Sequence, residues 1–391
     1  CGKTARTVLR GVYLQLFILL EKEKNLLMRK YDVKLVDEIR MKQHIDNING
    51  LNTIIKPIPD DDRIHVLDPR VLEIAKQKKQ MFAERKKKSG FSLANERFRP
   101  DKVTYDLTTR EINCEEKLIK ILDDHMIDIF IYRPEGTENE KLPVMIYFHG
   151  GGWTAGDMKL YKNQMKLVSD LGNCVCVFPE YRLAPECPFP GPIDDCYETI
   201  RYVSTHADEL NINKEKLMVA GDSAGGGLLF SCLYKDVEHL IKKGFGIYAG
   251  VDHTYYKDED LYSWSYDEYP VIEEHAEFAH SRIDRIRLGS TGDSSKSLYL
   301  QGKINSDDPI VSAVYMSDEK VKELPPMVMA YSEYDFLRIS DEYMTKRMIE
   351  LGVPCKAIRY AGCDHGFFDL LGTIPQAEEL CYTLAEEINN Y

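Results

Sequence analysis

The segment Gly221-Asp222-Ser223-Ala224-Gly225 sets a serine between glycines where an apolar strand gives way to an apolar helix. Leu217-Met218-Val219-Ala220 reads as a short buried strand, and Gly226-Gly227-Leu228-Leu229-Phe230 as the start of a packed helix. A strand that turns so sharply into a helix needs small residues on both sides, so that neighbouring backbone can close in, and it leaves the serine hydroxyl projecting at the carboxyl edge of a sheet. The turn therefore demands a layered α/β architecture. It has the form of a nucleophile elbow, with Ser223 the candidate nucleophile and Asp222 a neighbour that shapes the site. The pattern alone carries little weight, because roughly one chain of this length in ten would hold G-x-S-x-G by accident. Partners for Ser223 must be found elsewhere in the sequence.

The surroundings of the elbow fit that architecture. From Val103 onward, short apolar runs at 126–132, 144–148, 174–178, 217–220, 246–249, 327–331 and 355–359 alternate with helical patterns, which predicts a mostly parallel sheet covered by helices on both faces. Residues 1–100 are rich in Lys, Glu, Leu and Ile with few glycines and read as a helical N-terminal segment, leaving 101–391 as the main domain. Asp68 and Pro69 look like a helix start, and Lys86-Lys87-Lys88 like a solvated helix end. Residues 252–302, rich in Asp, Glu, Tyr and Ser, break the rhythm and read as an insertion near the site.

Charge and cysteine content exclude several function classes. Lys and Arg total 51 against 64 Asp and Glu, and a formal charge of −13 argues against a general nucleic-acid or anionic-membrane surface. Ten cysteines at irregular spacing, with Cys174 and Cys176 inside an apolar run, read as small buried hydrophobes rather than a disulfide framework or zinc site, which points to the cytoplasm. The apolar run at 12–20 is too short to span a bilayer and is followed by Glu21-Lys22-Glu23-Lys24, so it reads as an amphipathic helix. A secreted or lipid-anchored form stays open, as does a homodimer.

Directly after the apolar run at 144–148 comes His149-Gly150-Gly151-Gly152-Trp153. Without Cβ atoms, consecutive residues can turn their N–H groups toward one point, where the oxyanion of an acyl-transfer intermediate would form. A phosphate-cradling loop would need a following Lys-Ser/Thr or G-x-G-x-x-G spacing, and neither is present. The base is expected late in the chain, after a carboxylate, which selects His365 in Gly362-Cys363-Asp364-His365-Gly366-Phe367. The carboxylate is expected at Asp335, after the apolar run at 327–331, with Glu333, Asp341 and Asp364 as rivals.

With glycine loop, elbow, acid and histidine in order, the chain resembles the hormone-sensitive lipase branch of the α/β-hydrolases. The resemblance rests on His149-Gly150-Gly151-Gly152, Tyr181-Arg182-Leu183-Ala184-Pro185-Glu186, Asp194-Asp195, Gly221 to Gly226, Asp335-Phe336-Leu337-Arg338 and His365-Gly366-Phe367, and covers roughly residues 100 to 391. It implies a serine carboxylic-ester hydrolase acting through an acyl-enzyme on a small acyl ester, without metal or organic cofactor. It also implies an oxyanion hole from the backbone of Gly151, Gly152 and Ala224, with His149, Gly150, Trp153 and Asp222 shaping the site, and a cap from the N-terminal segment. Deacetylation of sugars or amides uses the same apparatus. The gibberellin receptors share the fold as ligand-binding proteins but lack the histidine, which His365 argues against here. One departure stands out: members commonly carry proline after the acid, where this chain has Phe336.

Overall fold

The computed structural model describes residues 29–85, 92–98, 102–122, 124–256, 261–291 and 295–391. The amphipathic run at 12–20 and the Lys86-Lys87-Lys88 helix end lie outside them. Ten strands form one sheet: β1 (His44–Ile48), β2 (Leu51–Lys56), β3 (Ile112–Lys120), β4 (Met126–Pro134), β5 (Leu142–Phe148), β6 (Val175–Pro179), β7 (Ile212–Asp222), β8 (Lys243–Ile247), β9 (Met327–Tyr334) and β10 (Cys355–Asp364). Their spatial order is β1-β2-β10-β9-β8-β7-β5-β6-β4-β3. From β2 through β6 neighbours run parallel, while β1 at one end and β4 and β3 at the other are antiparallel. This is the mostly parallel α/β sheet that the alternating pattern predicts.

Successive side chains of a strand point to opposite faces, and here each face buries its own core. Val144, Ile146 and Phe148 of β5, with Val175 and Val177 of β6, join Leu228 and Leu229 on one side. Met145 and Tyr147, with Cys176 and Phe178, join Met165, Leu380 and Leu384 on the other. The first group packs with helices α5 (Gly191–Thr205) and α6 (Ala224–Lys235), the second with α4 (Met158–Gly172) and α11 (Pro375–Asn389). Both faces being covered explains why β5 and β6 read as continuous apolar runs rather than alternating ones.

The N-terminal segment departs from the expectation of helices throughout. Helix α1 (Lys34–Lys42) is followed by the β1–β2 hairpin, which turns at Asn49-Gly50 and lays Thr53–Lys56 parallel to Ala357–Tyr360 of β10. These residues extend the sheet. Helix α2 (Pro69–Arg85) starts at the anticipated Asp68-Pro69, where the Asp68 N–H bonds the Gly362 carbonyl at 3.0 Å beside the end of β10. The short helix α3 (Leu93–Arg97) docks through Arg97, whose guanidinium donates to the carbonyls of Thr154 (2.8 Å) and Ala184 (3.0 Å). Within 252–302 lie a short 3-10 turn at Tyr266–Glu268, helix α7 (Glu273–Thr291) and helix α8 (Ser295–Leu300).

Buried charge ties the hairpin to the body. Lys56 Nζ meets Glu379 Oε1 at 2.6 Å with both side chains almost fully enclosed, and Glu379 also accepts from the hydroxyls of Tyr360 (2.7 Å) and Thr383 (3.0 Å). Removing one partner of such a pair strands the other charge in a low-dielectric site. Lys56→Met is expected to destabilise the protein by about 3 kcal/mol, at the low end for a broken buried pair because the two hydroxyls and the Arg40 guanidinium, 3.6 Å from Glu379 Oε1, remain. Thermal or urea unfolding of the two proteins reads this; an unchanged midpoint would mean that the pair contributes nothing.

Candidate active site

Strand β7 ends at Asp222, and Ser223 takes φ 52° and ψ −118° before α6 begins at Ala224. Positive φ is strained for a residue with a Cβ, and the strain is held by surrounding bonds. Ser223 N–H donates to the Ile247 carbonyl at 2.9 Å, and the Ser223 carbonyl accepts from Gly250 (2.8 Å) and Gly227 (3.1 Å). The last of these is the first intrahelical bond of α6. The Ala224 N–H therefore stands at the unpaired, electropositive start of the helix, next to the serine hydroxyl.

The glycine loop is pressed against this turn. A Cβ on Gly225 would lie 2.0 Å from the Phe148 carbonyl oxygen and 2.7 Å from that of His149. Gly151 has φ 138°, and a Cβ there would stand 1.9 Å from the Ala155 oxygen. The Asp222 carboxylate joins loop to elbow: Oδ1 accepts from the Gly150 N–H (2.7 Å) and the Tyr147 hydroxyl (2.8 Å), and Oδ2 from the Tyr161 hydroxyl (3.1 Å). Burial raises the Asp222 pKa, an effect that the Tyr147 and Gly150 donors oppose.

The expected partners converge on the serine. Ser223 Oγ lies 2.8 Å from His365 Nε2, and His365 Nδ1 lies 2.6 Å from Asp335 Oδ2. His365 stands just past β10 and Asp335 just past β9, so adjacent parallel strands deliver both to the same edge as Ser223. Asp335 also accepts the Leu337 N–H at 3.0 Å, which fixes the carboxylate at the start of helix α10 (Arg338–Glu350).

None of the rival carboxylates bonds the His365 ring. Glu333 accepts the Gly362 N–H at 2.7 Å. Asp364 points to Arg282; burial alone would raise its pKa, but Arg282 and Arg285 outweigh this and hold it below the usual carboxylate range. Asp341 is fully buried, and burial together with the Asp335 charge pushes its pKa well up.

The remaining site residues are packed rather than open. His149 is enclosed between Phe178 and Tyr181, with ring centroids 5.5 and 4.2 Å away, and its carbonyl accepts the Tyr181 hydroxyl at 2.6 Å. Trp153 stacks on Tyr299 at 4.9 Å and reaches Gly227 and Gly250 beside the elbow. Arg182 pairs with Asp195 at 2.7 Å, anchoring the Tyr181 to Glu186 loop.

Sequence reasoning missed Tyr147 and Tyr161 as the hydroxyl donors to Asp222. It also missed Arg282 and Arg285, whose three-residue spacing on a helix was the available signal.

Residues 145–369 match the family model described as the alpha/beta hydrolase fold. The chain belongs to the α/β-hydrolase family, in its hormone-sensitive-lipase-like branch. Among relatives of this α/β-hydrolase, an arylesterase of Saccharolobus solfataricus is 28% identical over 267 residues, covering 68% of this chain and 81% of its own. The esterase LipI of Mycobacterium tuberculosis is 26% identical over 278 residues, covering 70% and 82%. Among solved structures, a fungal esterase of Rhizomucor miehei superposes with a TM-score of 0.65 at 25% identity, covering 83% of this chain and 97% of its own.

The contact at Gly225 can be tested on its own. Gly225→Ala must push the helix start away from Phe148 and His149, separating the Ala224 N–H from the glycine loop. The expected cost is roughly 1–3 kcal/mol of stability and at least a tenfold fall in turnover of any ester substrate. Unchanged kinetics in the alanine variant would show that the two backbones need not touch.

Proposed function

We propose that this protein is a serine carboxylic-ester hydrolase that works through an acyl-enzyme. The observation that carries the reading is the continuous chain from Ser223 Oγ through the His365 ring to Asp335 Oδ2, at 2.8 and 2.6 Å. His365 takes the serine proton as Oγ attacks the ester carbonyl, and Asp335 orients the imidazole and balances the imidazolium. The N–H groups of Gly151, Gly152 and Ala224 receive the oxyanion, and the protonated His365 then gives its proton to the departing alcohol. Water, activated by the same histidine, releases the acid and frees Ser223. The arylesterase and esterase names of the relatives support ester rather than amide chemistry.

The same proposal assigns the cap. Helix α2 starts beside the end of β10, and α3 docks through Arg97 on the Thr154 and Ala184 carbonyls, which supports a covering role for 69–85 and 92–98, while 44–56 belongs to the sheet. Bulk at Trp153 and Tyr299 beside the elbow favours a short acyl group. Among the described residues no helix is long and apolar enough to cross a membrane. Six cysteines, Cys174, Cys176, Cys196, Cys232, Cys363 and Cys381, are buried free thiols, which supports a reducing compartment such as the cytoplasm.

Ser223→Ala is expected to lower hydrolysis of p-nitrophenyl acetate and butyrate by about 10⁴-fold or more, with unchanged circular dichroism. Turnover at the wild-type rate would sink the assignment. Across p-nitrophenyl esters from acetate to palmitate, kcat/KM is expected to peak at two to four acyl carbons; a maximum at the long end would remove the short-acyl reading and keep the serine chemistry.

A further inference from the structure

The aromatic and basic side chains between β8 and β9 converge on the backbone that carries the acid and the base. The Tyr269 hydroxyl donates to the Asp335 carbonyl at 2.9 Å, and the Tyr256 hydroxyl donates to the Phe336 carbonyl at 2.5 Å. Trp264 Nε1 donates to the Tyr269 oxygen at 3.1 Å, so that hydroxyl is held with its own proton aimed at Asp335. Tyr256 and Trp264 meet the Phe336 ring edge-on at 4.9 and 5.5 Å, and the Arg338 guanidinium lies over the Tyr269 face at 4.6 Å. From the other side, α7 sends Arg282 to the Asp364 carboxylate and Arg285 Nη2 to the His365 carbonyl at 2.9 Å.

These contacts have a common target. The hydrogen bond between Asp335 and His365 is made by side chains on two separate loops, and an error of about 1 Å in either loop can cost a hundredfold in rate. A proline in the residue after the acid would limit that loop covalently, through a fixed φ near −65°. Phe336 supplies no such restraint. Its ring is instead gripped by Tyr256 and Trp264, and the carbonyls on both sides of its N–Cα–C unit are bonded by tyrosine hydroxyls.

We propose that Tyr256, Trp264 and Tyr269, with Arg282 and Arg285 of α7, form a clamp that sets the Asp335–His365 pair, and that Tyr269 is its principal positioning residue. The proposal rests on the triad reading above. Tyr269 acts through the Asp335 peptide, and its hydroxyl is spent on that carbonyl, so its effect depends on an intact carboxylate at 335. Damage to the pocket or to general stability would not depend on it.

The test is a double-mutant cycle on turnover of p-nitrophenyl acetate. Tyr269→Phe keeps the ring and the Arg338 contact and is expected to lower kcat about tenfold with KM unchanged. In the Asp335→Asn background the same substitution is expected to change kcat by less than about twofold. An equal tenfold loss in both backgrounds, or a change confined to KM, overturns the clamp. If Tyr269→Phe does not fold, Tyr256→Phe carried through the same cycle decides, with the same two outcomes. Retained activity in Ser223→Ala would overturn the triad itself, whereas a dead Ser223→Ala, an impaired Asp335→Asn and additive tyrosine losses would overturn only the clamp.

Discussion

At the carboxyl edge of the sheet, the first turn of α6 lies so close to the end of β5 that Gly225 has no space for a Cβ beside the Phe148 and His149 carbonyls. Everything that makes the edge reactive depends on that closeness. The strained turn at Ser223 and the glycine loop belong to adjacent parallel strands, and only when their backbones touch can N–H groups from both aim at one point. Asp222 locks the two together from below, through the Gly150 N–H and two tyrosine hydroxyls. Its carboxylate is internal wiring for the loop, although it sits one residue from Ser223.

The distribution of carboxylates around His365 follows the same economy. Besides Asp335, the residues Glu333, Asp341, Asp364 and Asp369 lie within six positions of Asp335 or His365 in sequence, and their surroundings separate them. Asp364 faces Arg282, Asp369 faces Lys102, Glu333 faces the Gly362 N–H, and Asp341 is fully buried beside Asp335, which disfavours its ionised form. One carboxylate is left facing the imidazole, and it accepts a backbone N–H on its other oxygen. Which carboxylate meets the His365 ring is thus set by the surroundings of the others.

That distinction was not legible in the sequence, where Asp335 could be ranked above its rivals only by position along the chain, with Glu333 nearer the strand, Asp341 within the next helix and Asp364 adjoining His365. Ser223, His365 and the run from His149 to Trp153 were legible, because each sits where an apolar strand ends in glycines and the local pattern carries the geometry. The β1–β2 hairpin was not. Four of the five residues of β1 are exposed, so His44–Ile48 has no apolar alternation to show, and the pairing of β2 with β10 joins segments about three hundred residues apart. The tyrosines of the segment after β8 were visible as a composition, yet the partners of Tyr256 and Tyr269 are backbone carbonyls, which leave no mark on residue choice.

The hairpin has a consequence for the strand that leads to His365. Without β1 and β2, β10 would be the last strand of the sheet, with Ala357–Tyr360 open to solvent along one side. Outer strands fray, and their amides exchange with water at low free-energy cost. By lying alongside, Thr53–Lys56 makes β10 an interior strand, bonded to β2 on one side and to β9 on the other. The β1–β2 hairpin therefore protects the strand that leads to His365 from opening at its outer side.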